Sequence, residues 1–351
     1  MPVRWGIVGC GSVCEVKSGP PLYECVDSEL RVVMRRQRDL AADFAARHGV
    51  AHSTDDAQAV IDDPSVDAVY VATPPGSHLE YALATATAGK PCYVEKPMAR
   101  NGRECERMVE AFAARGLPLF VAYYRRALPR FERVRELLEA GELGTLRTVS
   151  HVYQGSARGA GQPSAGPAAR GWREDVPLSG GGLFLDLGSH TVDLIDHLCG
   201  PLEQVQGTAR RRASTIAPGA PEDTVVASFA TREGALGTLE YVFHGTDAVD
   251  RMQLVGDRGR LVFSVFGSEP IEWHSGRGLE RLPTSHPRHV QQPLIQWIVD
   301  ELSGRRPGCP STGQSALRAS VVMDRILEGY YGGRSDDFWS RPTTWPGNRD
   351  S

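Results

Sequence analysis

No run of apolar residues in this sequence approaches the roughly 20 needed to cross a bilayer, and Met1 leads straight into a short strand without the features of a secretory leader. A membrane or secreted protein is therefore not expected, and a cytoplasmic one is. No CxxC pair occurs. The seven cysteines (Cys10, Cys14, Cys25, Cys92, Cys105, Cys199, Cys309) are odd in number and scattered, which argues against a disulfide framework and against a zinc site. Neither sign of charge dominates: 39 Lys and Arg face 43 Asp and Glu, a net charge of -4. That leaves no electrostatic footprint for nucleic acid or an anionic membrane, so the expected partner is a small molecule. There is also no internal repeat.

The chain has 351 residues, 41% hydrophobic and 23% charged, enough for two domains with a core each. Val3 to Val8 is a short apolar strand running into Gly9-Cys10-Gly11-Ser12-Val13-Cys14, the strand-turn-helix context of a dinucleotide fingerprint. Gly9 suits the tight turn and Gly11 the approach of backbone to a pyrophosphate, whose charge the helix opening at Ser12 and Val13 would meet. Cys14 replaces the usual third glycine. A glycine-rich turn without a ligand is the alternative. The second strand, Leu30 to Met34, ends in Arg35-Arg36-Gln37-Arg38, where an NAD site would present a carboxylate to the ribose 2'-hydroxyl. Guanidinium groups suit a 2'-phosphate, so Arg35 and Arg36 favour NADP(H) over NAD(H), unless Glu29 and Asp39 merely pair with them.

The alternation continues with a helix from Asp39 to His48 stopped by Gly49, then an apolar strand from Ala68 to Ala72. Thr73-Pro74-Pro75-Gly76 follows at its carboxyl end, then a helix from His78 to Ala88. A strand from Cys92 to Val94 leads to Glu95-Lys96-Pro97, and helix Arg103 to Arg115 and strand Leu119 to Ala122 complete a β/α array over residues 1 to 122. Ligands bind at the carboxyl ends of strands in such sheets, which nominates Thr73, Pro74, Glu95 and Lys96.

Gly180 to Leu198 reads GGGLFLDLGSHTVDLIDHL. If the part after the glycines is helical, Asp186, His190, Asp193 and His197 share one face, beside a mostly apolar strip of Leu187, Thr191, Leu194 and Leu198. The glycines would let backbone pass close to a ligand or another segment. A solvated acidic face is one alternative, and a metal site of His190, Asp193 and His197 another.

The succession of GxGxx, Thr73-Pro74 with His78, Glu95-Lys96-Pro97, and a glycine run with Asp186 and His190 resembles the glucose-fructose oxidoreductase, inositol dehydrogenase and MocA family over nearly the whole chain. The resemblance implies an α/β Rossmann domain followed by an α+β domain with an open-faced, mainly antiparallel sheet. It also implies hydride transfer between NAD(P) and a sugar, cyclitol or related small molecule, with roles for Lys96, Asp186 and His190.

From residue 123 onward the period changes, and residues 123 to 351 are expected to bind substrate and to self-associate. Tyr123-Tyr124-Arg125-Arg126 precedes a helix from Pro129 to Ala140, and Leu146 to Gln154 is a strand. Gly155 to Gly171 reads as a mobile loop ending at Trp172-Arg173, a pair able to cover nicotinamide or substrate. Five strands follow between residues 204 and 265. An open face carrying Val242, Leu254 and Phe263 would make a dimer or tetramer. Helices Val290 to Ser303 and Thr312 to Tyr331 close the domain, and the tail from Gly332, rich in Gly, Pro, Arg and Asp, is expected to have a frayed end. His286 and His289, in a polar loop, are expected to be solvent-exposed.

In this scheme His190 is the general acid/base, Lys96 polarises the substrate oxygen, and Asp186 orients the imidazole or holds a neighbouring hydroxyl. Tyr124 and Arg125 would hold a polyhydroxylated or anionic substrate. No resident metal is expected. An imine or non-sugar carbonyl reductase is the nearest alternative enzyme, and a dinucleotide-binding regulator of the same fold is the non-catalytic one.

Overall fold

The computed structural model describes residues 1–156, 171–211 and 219–348. It divides into two compact units, Met1–Leu128 with Pro287–Leu317, and Pro129–His286 with the chain from Arg318 onward.

In the first unit, strands β1 (Val3–Val8), β2 (Ser28–Met34), β3 (His52–Thr54), β4 (Ala68–Val71), β5 (Cys92–Val94) and β6 (Leu119–Val121) form a parallel sheet ordered β3-β2-β1-β4-β5-β6. The intervening helices are α1 (Ser12–Val16), α2 (Pro21–Glu24), α3 (Arg38–His48), α4 (Ala57–Asp62), α5 (His78–Thr87) and α6 (Gly102–Ala113). Strand order reverses between β1 and β4, so the loops leaving these two strands part at the place where doubly wound sheets bind ligands. The continuous apolar runs are explained by burial on both faces. Val8, Val69, Val71 and Val94 pack with Val60, Ala82 and Met108 of α4 to α6. On the other face the rings of Tyr70 and Tyr93 stack at 4.8 Å, with Trp5 edge-on to Tyr93. Helix α3 ends as its sequence suggests, at Gly49 with φ +66.

In the second unit, α7 (Pro129–Glu139), β7 (Leu146–Ser156), α8 (Val176–Ser179) and α9 (Leu183–Cys199) precede β8 (Leu202–Arg210), β9 (Thr224–Thr231), β10 (Leu236–Gly245), β11 (Val249–Gly256), β12 (Gly259–Phe263), β13 (Ile271–Ser275) and β14 (Gly278–Leu282). The sheet order is β14-β13-β12-β11-β7-β10-β9-β8, antiparallel throughout except for β7 with β10. Most of the loop expected over Gly155 to Gly171 lies outside the described residues. Helices α7 and α9 cover one face of the sheet: Phe131 meets Phe263 edge-on at 6.0 Å, Phe184 meets Tyr241 at 4.9 Å, and the Thr191 and Tyr241 hydroxyls are 2.6 Å apart.

Register corrects the expected open face. Leu254 pairs with Leu261 and Met252 with Phe263, and all four side chains are buried on the covered side. Val242, one residue past buried Tyr241, points the other way. With it on the uncovered face are Val226 and Leu236, 52% and 64% exposed, interspersed with Glu240, Gln154 and Arg251.

Helix α10 (Gln292–Leu302) and the first turn of α11 (Gly313–Tyr331) belong to the first unit, where the sequence suggests that α10 closes the second. Leu294, Ile295, Ile298 and Val299 are buried, Gln296 Oε1 accepts from Val26 N–H at 2.8 Å, and Ser311 Oγ donates to Val121 O at 2.6 Å. His289 is buried too, contrary to expectation: Nδ1 lies against Val16 O and Nε2 is 3.4 Å from Glu24. The tail after α11 is packed, with Phe338 and Trp345 buried against Tyr331 and the Trp345 indole donating to Phe338 O at 2.9 Å; its end, expected to fray, lies outside the described residues.

Candidate active site

The loop after β1 is built for close approach. Gly9 has φ +95, and a Cβ there would stand 2.6 Å from Thr73 Cγ2, so only glycine lets the loops after β1 and β4 touch. The N–H groups of Gly9 and Cys10 both donate to Met34 O at 2.9 Å, pinning the turn to the end of β2. At Gly11 an added Cβ would meet nothing closer than Gly9 O at 3.9 Å, so the backbone is open on that side. Such a cradle, opening α1 at Ser12 and Val13, fits a pyrophosphate; at five residues α1 supplies first-turn N–H groups rather than a long dipole. Cys14 is fully buried at the third position, and its carbonyl would lie 2.0 Å from a Cβ on Gly19. Gly19 thus makes the close backbone contact, five residues beyond the motif.

Arg35 is half-buried and Arg36 exposed, and neither forms an ion pair among the described residues; Glu29 is taken by Arg31 at 2.5 Å. Arg35 also acts on the glycine loop: burial pushes the Cys10 thiol up to about 11, and the Arg35 guanidinium is the strongest influence opposing it.

His78 is fully buried and ties two loops together. Its Nε2 is 2.7 Å from Thr73 O, and its Nδ1 is 3.1 Å from Pro97 O and 3.2 Å from Met98 O. Burial holds its pKa below the usual histidine value, against the pull of those carbonyls toward the charged ring. Pro74 is half-buried, and Thr73 Oγ1 accepts from Ser77 Oγ at 2.8 Å. Glu95 is buried, accepting from Tyr70 OH and Gln291 Nε2, both at 2.7 Å, on Oε1 and from Lys96 N–H at 3.1 Å on Oε2. Lys96 follows, half-buried, at the carboxyl end of β5. Tyr124 and Arg125 lie buried in the turn after β6, the guanidinium 5.0 Å from the ring centre. Every site residue expected in the first unit therefore follows the carboxyl end of a strand.

In the second unit α9 starts from the glycine run. Gly180 is left-handed (φ +82), and a Cβ on Gly182 would stand 2.8 Å from Glu222 O; the Gly182 N–H donates to Glu222 Oε1 at 3.3 Å. Close approach of another segment thus explains Gly182. Asp186 and His197 are half-buried, whereas His190 and Asp193 are 4% and 1% exposed, so the strip is no solvated acidic face. His197 faces Glu132 at 3.9 Å. Arg173 Nε donates to Asp186 Oδ2 at 3.1 Å, and its guanidinium lies over Trp172, 4.5 Å from the ring centre. Trp172, Arg173 and Asp186 are thereby one group. Among the described residues no three His, Cys, Asp or Glu side chains are grouped to hold a metal.

One pair went unseen in the sequence. His151 Nε2 is 3.0 Å from Asp250 Oδ1, and Asp250 also accepts from Ser264 Oγ and from the N–H groups of Val265, Phe266 and Gly267. Burial pushes this carboxyl up, but the bonds from His151, Ser264 and Phe266 prevail and hold it at about 2. The loop so fixed presents Phe266 edge-on to His190, ring centres 6.3 Å apart. His151 and Asp250 are 99 residues apart, and only strand register brings them together.

Residues 3–123 match the oxidoreductase family with an NAD-binding Rossmann fold, and residues 131–262 match the GFO/IDH/MocA C-terminal domain. Oxidoreductase P35 of Formosa agariphila is 34% identical over 322 residues, 92% of this chain and 97% of that protein. The chain belongs to the Gfo/Idh/MocA family. It is accordingly an oxidoreductase with an NAD-binding domain. Another member, inositol 2-dehydrogenase 2 of Saccharopolyspora erythraea, is 31% identical, with 93% of each chain covered. The fold is shared with a levoglucosan dehydrogenase solved with NADH and levoglucosan, at a TM-score of 0.79 and 23% identity over 93% of this chain and 97% of that one. Within the Gfo/Idh/MocA frame, the glycine loop and the Glu95-Lys96-Pro97 turn lie in the Rossmann match and α9 in the C-terminal one.

Proposed function

We propose that the protein transfers a hydride between a nicotinamide dinucleotide, NADP(H) in preference to NAD(H), and a carbinol or carbonyl carbon of a sugar, cyclitol or related small polyol. The reading rests on one conjunction: a glycine loop open at Gly11 with Arg35 beside it, on the sheet edge that also carries Lys96. The relatives named for inositol and levoglucosan support the substrate class.

Gly9, Gly11, Ser12 and Val13 hold the pyrophosphate, and Arg35 and Arg36 hold a 2'-phosphate. Thr73, Pro74, His78 and Glu95 shape the rest of the dinucleotide site, and Trp172 and Arg173 serve nicotinamide or substrate. The nicotinamide, when bound, supplies or accepts the hydride. His190 takes or gives the hydroxyl proton, Lys96 polarises the substrate oxygen, and Asp186 holds the imidazole or a neighbouring hydroxyl. Tyr124 and Arg125 bind the remaining substrate hydroxyls. The protein works in the cytoplasm as a dimer or tetramer formed through the uncovered sheet face.

The test is a titration with NADPH and separately NADH, followed by nicotinamide fluorescence, alongside Arg35→Asp. Tight NADPH binding that the substitution weakens selectively is expected. Equal binding of both nucleotides, unmoved by the substitution, would remove the NADP preference; binding of neither would remove the whole reading.

A further inference from the structure

Gln291 stands in the segment that returns to the first unit, 196 residues after Glu95. Both ends of its amide are used: Nε2 donates to Glu95 Oε1 at 2.7 Å, and Oε1 accepts from Tyr93 OH at 2.6 Å. Tyr70 OH donates to the same carboxylate oxygen at 2.7 Å and lies 2.9 Å from Ser18 Oγ. The other carboxylate oxygen accepts from Lys96 N–H. Three donors converge on Glu95, and Tyr93 fixes which way the amide points. Gln291 N–H also donates to Lys17 O, just past α1. Ser18, Tyr70, Tyr93, Glu95 and Gln291 are all buried, so a lost bond is not replaced by water.

We propose that Gln291 is a positioning residue for Lys96. Through Glu95 it fixes the main chain from which the Lys96 amine extends, and through Lys17 it ties that main chain to the segment following the glycine loop. The inference rests on the reading that Lys96 acts on the substrate, but it is tested without a substrate. The chain contains three lysines, Lys17, Lys90 and Lys96, and Lys90 is engaged elsewhere, with Nζ donating to Asp63 O at 2.6 Å.

The experiment is competitive acetylation of the full chain by acetic anhydride between about pH 5 and 9, reading the ratio of Lys96 to Lys90 modification by peptide mass, with thermal midpoints at each pH. The variants are Gln291→Met, which keeps length but donates nothing, and Gln291→Glu. In Gln291→Met the ratio changes at least about threefold at every pH. In Gln291→Glu it changes as much at pH 8, where two carboxylates face each other, and returns to the native value below about pH 6, where a shared proton restores a donor to Glu95. Ratios equal to native in both variants at all pH values, with only the thermal midpoint lowered, would overturn the proposal. Should Gln291→Met fail to fold, Tyr93→Phe removes the bond that orients the amide; a smaller change of ratio is expected, and none would likewise overturn it. Full turnover by Lys96→Ala would remove the proposed role of Lys96 in the reaction while leaving the acetylation result standing.

Discussion

Arg173 reaches Asp186 from thirteen residues away, donating at 3.1 Å while its guanidinium rests on Trp172. The side chain is 47% exposed, so the pair adds well under about 1 kcal/mol to stability. Under the proposed function its weight falls on the reaction, because Asp186 lies one helical turn before His190. Arg173→Ala is expected to leave the thermal midpoint within about 2 °C and to lower kcat/KM at least tenfold for whichever substrate turns over the nicotinamide cofactor. An unchanged kcat/KM would reduce the pair to a surface contact.

His190→Ala and Lys96→Ala test the assignment of proton transfer and polarisation. Each is expected to fold, to bind nucleotide within about threefold of native, and to lose kcat by about two to four orders of magnitude. Turnover retained by both variants in steady-state assays would end the assignment.

The two glycines of the first loop should separate stability from binding. Gly9→Ala puts a Cβ 2.6 Å from Thr73 Cγ2 at φ +95, and should cost about 1 to 3 kcal/mol, read as a lower denaturation midpoint. Gly11→Ala meets no protein atom within 3.9 Å and should leave the midpoint unchanged while weakening nucleotide binding about tenfold or more. Normal affinity in Gly11→Ala would show that no ligand approaches there.

Asp250 gives a pH dependence of known sign. Its carboxyl is held at about 2, below the roughly 3.9 of an unfolded chain, so its contribution is complete above about pH 4 and is lost as pH falls from about 4 to 2. The amount is on the order of 2 kcal/mol. Asp250→Asn should lower stability at pH 7 and flatten the acid limb of a stability profile in that window. A limb of native steepness would place the acid sensitivity elsewhere.

Self-association is read from mass. Light scattering should give two or four chains, and Val226→Glu with Leu236→Lys, both on the uncovered sheet face, should reduce it to one. A single-chain mass for the native protein would dispose of the proposed oligomer.

How far the sequence was legible depended on separation along the chain. The Gly9 turn, the Gly49 stop, the apolar parallel strands and the face shared by Asp186, His190 and Asp193 are all set by near neighbours, and each could be read in advance. Strand β3 is three polar residues at the sheet edge and carries no hydrophobic period, so it could not. Leu254 and Phe263 were assigned to the wrong face because apolarity without register does not distinguish two sides of a sheet. His151 with Asp250, and Gln291 with Glu95, are joined only by the completed fold. The Gly, Pro, Arg and Asp content of the tail hides two rings, Phe338 and Trp345, that pack on Tyr331.

The discontinuity of the first unit has a consequence for biosynthesis. The chain leaves that unit at Leu128, returns at Pro287 and leaves again after Leu317. All six strands of the Rossmann sheet have therefore emerged from the ribosome long before Gln291, while Glu95 and Tyr93 wait for the partner that completes their bonds. A fragment ending near residue 128 would have the nucleotide motif but would lack one of the three donors to Glu95, and a nascent chain must make most of its second unit before its first can mature.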